Sequence, residues 1–302
     1  MTDVVPSVRE FERGANLDRL TRLHALPCGR RLAYLELGDP QGKPCFYFHG
    51  FPGSRLEPAI LDVAGLRLIA VDRPGYGRSE PCAGRGLLDW PKDVASLADA
   101  LGLARFSVIG VSGGAPYAAA CAYALGARVA AAAVICGLGP PDAPGMDTFH
   151  IRLLQLAGSN WPTTSRALLS VWRPLVLRGP VDMLQTRLRA RNPRGSKEWA
   201  ALSPDFAGLI LASWREGMRY SADGMLSDGA IYGAPWGFSL ADIKTRFLIW
   251  HGTADTTVPV SIGHYYAAHI RHADARFPVG EGHFSLVRNH ILSMTAAIAV
   301  AS

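Results

Sequence analysis

Phe106-Ser107-Val108-Ile109-Gly110-Val111-Ser112-Gly113-Gly114-Ala115-Pro116-Tyr117-Ala118-Ala119-Ala120 passes from an apolar run into an alanine-rich one across a serine set among glycines. The first six residues read as a buried strand and residues 113–125 as a helix. The joint fits G-x-S-x-G in the strand–turn–helix context that this pattern requires. The reason is steric. A serine on so sharp a turn is strained, and the residues around it must be small, a condition Gly110 and Gly114 meet. The turn lifts the hydroxyl out of the sheet and aims a helix N-terminus at negative charge developing beside it. Ser112 is therefore the candidate nucleophile. The plainer reading, a glycine-rich turn with an idle serine, is disfavoured by the flanking strand and helix.

A serine hydroxyl attacks only when a base takes its proton. Where a strand feeds such an elbow, the partners follow in the order Ser, then Asp or Glu, then His. His283 stands late in the chain in Gly280-Glu281-Gly282-His283-Phe284, after a strand predicted at residues 275–279. Its place on a glycine-flanked loop suits a side chain that must reach into a site. His264, His269 and His272 lie on or just after a predicted helix and read as surface residues; His290 falls inside the final helix. The acid is Asp255, which follows a buried strand and a glycine turn in Trp250-His251-Gly252-Thr253-Ala254-Asp255-Thr256-Thr257-Val258-Pro259. A carboxylate there orients the imidazole and stabilises its protonated form; the bland alternative is a cap on the helix that starts near Pro259. Asp142, after the preceding sheet strand, is the rival acid. Acyl transfer also needs two backbone donors for the oxyanion. Gly113 supplies one and Phe51, in His49-Gly50-Phe51-Pro52-Gly53, the other.

Outward from these points the chain alternates strand and helix. Strands are predicted at residues 45–48, 67–71, 106–111 and 129–136, with a hairpin at residues 20–26 and 31–37. Helical spacing occupies residues 87–101 and 113–125. Such alternation predicts an α/β fold, a mostly parallel central sheet with helices on both faces. The rhythm breaks over residues 138–241, which show helical periodicity, Pro-Gly punctuation and no convincing buried strand. It resumes with a strand at residues 246–250, a helix at 260–270, a strand at 275–279 and a helix at 284–299. The domain expectation is a core at residues 1–137 and 242–302, interrupted by a helical cap insertion at 138–241. Residues 1–20 read as a leader segment with helical character.

Composition narrows the function classes. The chain has 302 residues, 49% of them hydrophobic and 19% charged, which argues for a folded core over wholesale disorder. The net charge of +6 comes from scattered arginines with no run of five or more like charges, so no nucleic-acid partner is expected. Five cysteines, Cys28, Cys45, Cys82, Cys121 and Cys136, without a C-x-x-C, speak against a disulfide framework or a zinc site. The N-terminus lacks the apolar stretch of a signal peptide, and the alanine-rich runs at 118–124 and 129–135 fall short of the ~20 residues a bilayer span needs. No membrane span and a cytoplasmic location are the resulting expectations.

The motifs together resemble the α/β-hydrolase superfamily, in the branch with a helical cap that includes esterases, lactonases, epoxide hydrolases, haloalkane dehalogenases and proline iminopeptidases. The markers stand in family order: His49-Gly50-Phe51-Pro52-Gly53, Asp72-Arg73-Pro74-Gly75-Tyr76-Gly77-Arg78-Ser79, the Ser112 elbow, Asp255 and His283. Departures narrow what the resemblance implies. Ser112 stands where epoxide hydrolases and dehalogenases carry an aspartate. Phe51 and Gly113 depart from the glycine pair and the tryptophan usual in proline iminopeptidases. Carbon–carbon bond hydrolases typically show a different oxyanion loop. The reading that remains is a serine hydrolase cleaving a small hydrophobic carboxylic ester or lactone through an acyl-enzyme, with no metal or organic cofactor implied. A peptidase, a carbon–carbon bond hydrolase and a ligand-binding protein of the same fold are the alternatives. Trp161, Trp172, Trp199, Trp214 and Trp236 all fall in the insertion. They serve either as the insertion's own core or as the lining of an apolar pocket over Ser112. Arg152, Arg173, Arg187, Arg189 and Arg191 read as a solvated face or as partners for a carboxylate.

Overall fold

The computed structural model describes residues 20–60, 65–159 and 162–301. The leader segment read at residues 1–20, apart from Leu20, and Trp161 lie outside the described residues. Eight strands form one sheet: β1 (Arg22–Ala25), β2 (Arg31–Gly38), β3 (Lys43–Phe48), β4 (Leu66–Val71), β5 (Phe106–Val111), β6 (Val129–Ile135), β7 (Arg246–Trp250) and β8 (Ala273–Arg276). Their order is β1-β2-β4-β3-β5-β6-β7-β8. The β1–β2 and β2–β4 pairs are antiparallel and all later pairs parallel.

Side chains alternate across a strand, and both faces of this sheet are covered. Phe46, Phe48, Ile69, Val71 and Val108 point to one face, against Trp90, Val94 and Leu97 of α1 (Trp90–Ala100) and Tyr117, Ala118 and Cys121 of α2 (Ala115–Ala124). Cys45, Tyr47, Leu68, Ala70, Ile109 and Val111 point to the other. Between β6 and β7 come only helices among the described residues: α3 (Phe149–Ser159), α4 (Pro162–Arg178), α5 (Val181–Arg189), α6 (Lys197–Ala201), α7 (Pro204–Gly217) and α8 (Asp223–Gly233). The helices α9 (Val260–His269) and α10 (His283–Ala301) flank β8.

The last strand differs from expectation. β8 covers Ala273–Arg276, upstream of residues 275–279, and pairs Phe247 with Ala273 through Trp250 with Arg276. An edge strand need not be apolar, whereas Phe277-Pro278-Val279 looks like a strand but is not one. Pro278 has no N–H to give a ladder, and Val279 is 80% exposed. The Pro278 carbonyl instead accepts from the Thr253 N–H at 3.2 Å, steering the chain toward His283.

Among the described residues α10 is the one helix long and apolar enough, by composition, to cross a membrane, a candidate the shorter alanine-rich runs did not suggest. Its Leu286, Ile291, Met294 and Ile298 are buried in the core that covers the second face of the sheet. That packing accounts for the apolar residues of its buried face, while Leu292 and Val300 are exposed.

Two loops at the carboxyl ends of the strands are locked together. Arg55, after β3, and Asp72, after β4, are fully buried and paired at 2.5 Å, and the Arg55 N–H also donates to Asp72 at 2.7 Å. Gly77 (φ +50) passes so close that a Cβ would lie 2.1 Å from the Asp72 carboxylate, so only glycine fits there.

Candidate active site

Ser112 sits between β5 and α2 with φ 52, a left-handed backbone that is strained for any residue bearing a Cβ. The small neighbours are required as the sequence implies. A Cβ on Gly110 would lie 2.4 Å from the Gly114 carbonyl, and one on Gly114 would lie 2.1 Å from that of Phe48.

The fold brings His283 and Asp255 to this serine across long stretches of chain. His283 Nε2 lies 3.1 Å from Ser112 Oγ, and His283 Nδ1 lies 2.8 Å from Asp255 Oδ2. Asp255 Oδ1 accepts the N–H groups of Thr257 and Val258, each at 2.8 Å. The carboxylate thus faces the imidazole and ties the turn before α9 at once; it does not cap the helix, whose N-cap is Pro259 without a side-chain bond. Burial works against the imidazolium, but the Asp255 carboxylate outweighs it and holds the His283 pKa well above the ordinary 6.5. Burial likewise raises the Asp255 carboxyl, yet His283, His251 and the Val258 N–H bring it net below the usual carboxylate range. Asp142 is exposed and engaged with Tyr265, away from the imidazole. His264, His269 and His272 are exposed as expected, and His290 contacts Glu281 at 3.3 Å.

His283 is not on a loop. It is the first residue of α10, and its position depends on how that helix begins. The first amides of a helix lack internal acceptors. Here Glu198 of α6 accepts the Phe284 N–H at 3.0 Å and the Ser285 N–H at 2.8 Å. Gly282 makes room for it, since a Cβ there would lie 2.6 Å from Glu198 Oε2. Glu198→Ala is expected to cost about 1–3 kcal/mol, because it strips a charged acceptor from two orphan amides. Denaturant unfolding beside the native protein measures it, and an unchanged midpoint would show that Glu198 does not hold the helix start.

Phe51 and Gly113 lie side by side. A Cβ on Gly113 would lie 2.7 Å from the Phe51 Cβ and 3.3 Å from its amide nitrogen. Among the described residues neither amide donates to a protein acceptor. The sequence reading missed what holds these loops. Asp228 of α8 is fully buried and paired with Arg73 at 2.7 Å and with Arg85, and it also accepts the Tyr76 hydroxyl at 2.9 Å. Arg73 in turn donates to the carbonyls of His49 and Gly50. Tyr232 of α8 donates to the Gly113 carbonyl at 2.8 Å. No periodic or motif signal marks Asp228; only the buried character of its helix face sets it apart.

Ser112 and His283 open onto a cavity of about 990 Å³. The insertion's aromatics divide between the two sequence readings. Trp172, Trp214 and Phe206 line the cavity. Trp236 packs in the core near Tyr266, and Trp199 lies under the Arg189 guanidinium. Arg187 and Arg191 line the cavity, whereas Arg173 bonds the Met218 carbonyl and Arg152 is exposed.

Cys136, Asp255 and His283 place their ligand-type atoms within 4.8 Å of one another. Burial pushes the Cys136 thiol up, which keeps it protonated, and its S–H points at the His283 carbonyl. A protonated thiol does not ligate, and the Nδ1 of His283 is already engaged by Asp255. The trio therefore suits hydrogen bonding better than metal binding.

Comparison with known proteins agrees with this architecture. The chain is similar to a proline iminopeptidase of Xylella fastidiosa (strain 9a5c), 33% identical over 126 residues, or 40% of this chain and only 38% of that protein's length. It is similar to a non-heme chloroperoxidase of Streptomyces lividans, 29% identical over 246 residues, covering 76% of this chain and 81% of the relative. The structure superimposes on the esterase RhEst1 from Rhodococcus sp. ECU1013 with a TM-score of 0.61 at 22% identity, covering 93% of this chain and 98% of the other. A family model described as the alpha/beta hydrolase fold matches residues 44–289, which contain the elbow, Asp255 and His283, and the chain belongs to that family.

Proposed function

We propose that the protein is a serine hydrolase that cleaves a carboxylic ester or lactone of small hydrophobic substrates. The supporting observation is the chain Ser112 Oγ–His283 Nε2–His283 Nδ1–Asp255, with separations of 3.1 and 2.8 Å, at the base of a largely apolar cavity. His283 takes the Ser112 proton as the oxygen attacks the carbonyl carbon. The Phe51 and Gly113 amides receive the oxyanion, and His283 returns the proton to the leaving alkoxide. Water, deprotonated by the same imidazole, then attacks the acyl-enzyme and releases the acid and free Ser112. The helices between β6 and β7 serve as a cap that shapes the acyl pocket.

Hydrolysis of p-nitrophenyl esters from short to long acyl chains tests this, with a fluorophosphonate probe for Ser112. A chain-length optimum and a label on Ser112 are expected. Failure of every ester together with failure to label would move a ligand-binding role to the front. The pH profile carries its own prediction. The base must be neutral, and Asp255 holds the His283 proton to higher pH. The value of kcat/KM should therefore climb with pH through an apparent pKa above 6.5, one that belongs to the coupled pair. A profile flat across neutral and mildly alkaline pH would remove His283 as the base.

The iminopeptidase relatives favour a second reading, peptide-bond hydrolysis by the same triad. Turnover of a proline p-nitroanilide in preference to esters would select it.

A further inference from the structure

Glu57 is the one carboxyl among the described residues that line the cavity, beside Ser112 and His283. It follows the oxyanion loop and reaches back into it: its carboxylate accepts the Gly50 N–H at 3.0 Å and the Tyr47 hydroxyl at 2.8 Å. Two donors leave part of its acceptor capacity unused, since a carboxylate offers about four acceptor sites. Its Oε2 and the Ser112 Cβ lie 3.4 and 3.5 Å from one point, the place a Cβ on Gly50 would take. An ionised carboxylate bonded to the Gly50 amide, one residue before the Phe51 amide, and lining the same cavity as Ser112 opposes the oxyanion that must form there. Burial pushes this carboxyl up to about 6, against the pull of Tyr47, the Gly50 N–H, Arg73 and His283. The site thus holds a negative charge with two protein donors, Tyr47 and Gly50, that the chemistry needs neutralised.

From this geometry we infer that Glu57 is a specificity-determining residue that selects acyl groups bearing an ammonium next to the reacting carbonyl. The substrate class is then α-amino acyl esters or amides. The ammonium fills the unused side of Glu57 and cancels the charge that faces the oxyanion. Apolar walls such as Leu209, Ile210 and Trp214 receive the side chain of the acyl group. The inference rests on the proposed acyl-transfer reading and deepens it.

The test compares leucine ethyl ester with ethyl 4-methylpentanoate, which differ by the amine. The native enzyme should favour the amino ester in kcat/KM, and Glu57→Gln should lower that preference by roughly tenfold or more. Glutamine keeps an acceptor for Gly50 and removes only the charge, so a loss that merely reflects loop geometry strikes both esters alike. An unchanged ratio overturns the inference. A second measurement needs no turnover and no Glu57 variant: calorimetric titration of Ser112→Ala protein with leucinamide and with 4-methylpentanamide. Tighter binding of leucinamide supports the assignment, and equal binding overturns it. If the native protein neither turns over nor labels, the acyl-transfer reading fails while this titration still decides the role of Glu57.

Discussion

Ser112→Ala is expected to lower ester hydrolysis by roughly a thousandfold to a millionfold while leaving the fold intact. The variant removes only the Oγ that lies 3.1 Å from His283 Nε2. The Phe51 and Gly113 amides and the cavity remain, so a small residual rate from binding and oxyanion stabilisation should survive. Stopped-assay kinetics and fluorophosphonate labelling read the loss directly. A companion variant separates chemistry from strain. Ser112 adopts φ 52, which alanine tolerates no better than serine and which glycine adopts freely. Ser112→Gly should therefore be as inactive as the alanine variant yet about 1 kcal/mol more stable than it. Equal activity of native and alanine proteins would remove Ser112 from the mechanism. Equal stability of the two variants would mean the elbow stores no strain.

Asp228→Ala should be the most destabilising single substitution considered, by about 3–5 kcal/mol. The carboxylate and the Arg73 side chain are fully buried and Arg85 nearly so; without the carboxylate, two guanidiniums are left without their counter-charge. The consequence reaches the site, because Arg73 also holds the carbonyls of His49 and Gly50 just before Phe51. Folded variant protein should show a lower kcat as well as an earlier denaturant midpoint. The acid response gives a further check. Burial raises the Asp228 carboxyl, but Arg73, Arg85 and the Tyr117 hydroxyl outweigh it and bring the pKa down to about 2. Its folded pKa thus lies below its ordinary 3.8, so its stabilisation is present above 3.8 and is lost as pH falls toward 2. Asp228→Asn should lose the part of acid destabilisation that falls in that window. A variant that unfolds with the native midpoint and the native acid profile would show the cluster to be energetically idle.

The sequence by itself determined the elements whose causes are local. The Ser112 elbow is legible because a serine at φ 52 forces glycine at fixed offsets, and those offsets are visible in one dimension. The parallel strands β3 to β7 are legible because burial on both faces demands short, continuous apolar runs. That Asp255 and His283 would meet Ser112 is legible because each follows a strand in a glycine-marked segment, and the chain order of the proposed acid and base is restricted.

Tertiary structure alone decided what depends on a partner far away in the chain. Arg73 meets Asp228 across 155 residues and Glu198 meets Phe284 across 86, with no period or motif to announce either pairing. Glu57 opens a short 3-10 turn after β3, and the fold of the loop between residues 50 and 57 brings its carboxylate back onto Gly50. The start of α10 at His283 depends on a cap supplied by another helix, for which Gly282 makes room. β8 escaped because an edge strand half open to water carries no apolar alternation, while the more apolar segment beside it is broken by a proline. Whether a tryptophan such as Trp172 or Trp199 lines the cavity or packs elsewhere is likewise a matter of where its helix lands. Burial and charge pairing are properties of surfaces brought together, and residue order records them only where backbone geometry restricts the choice.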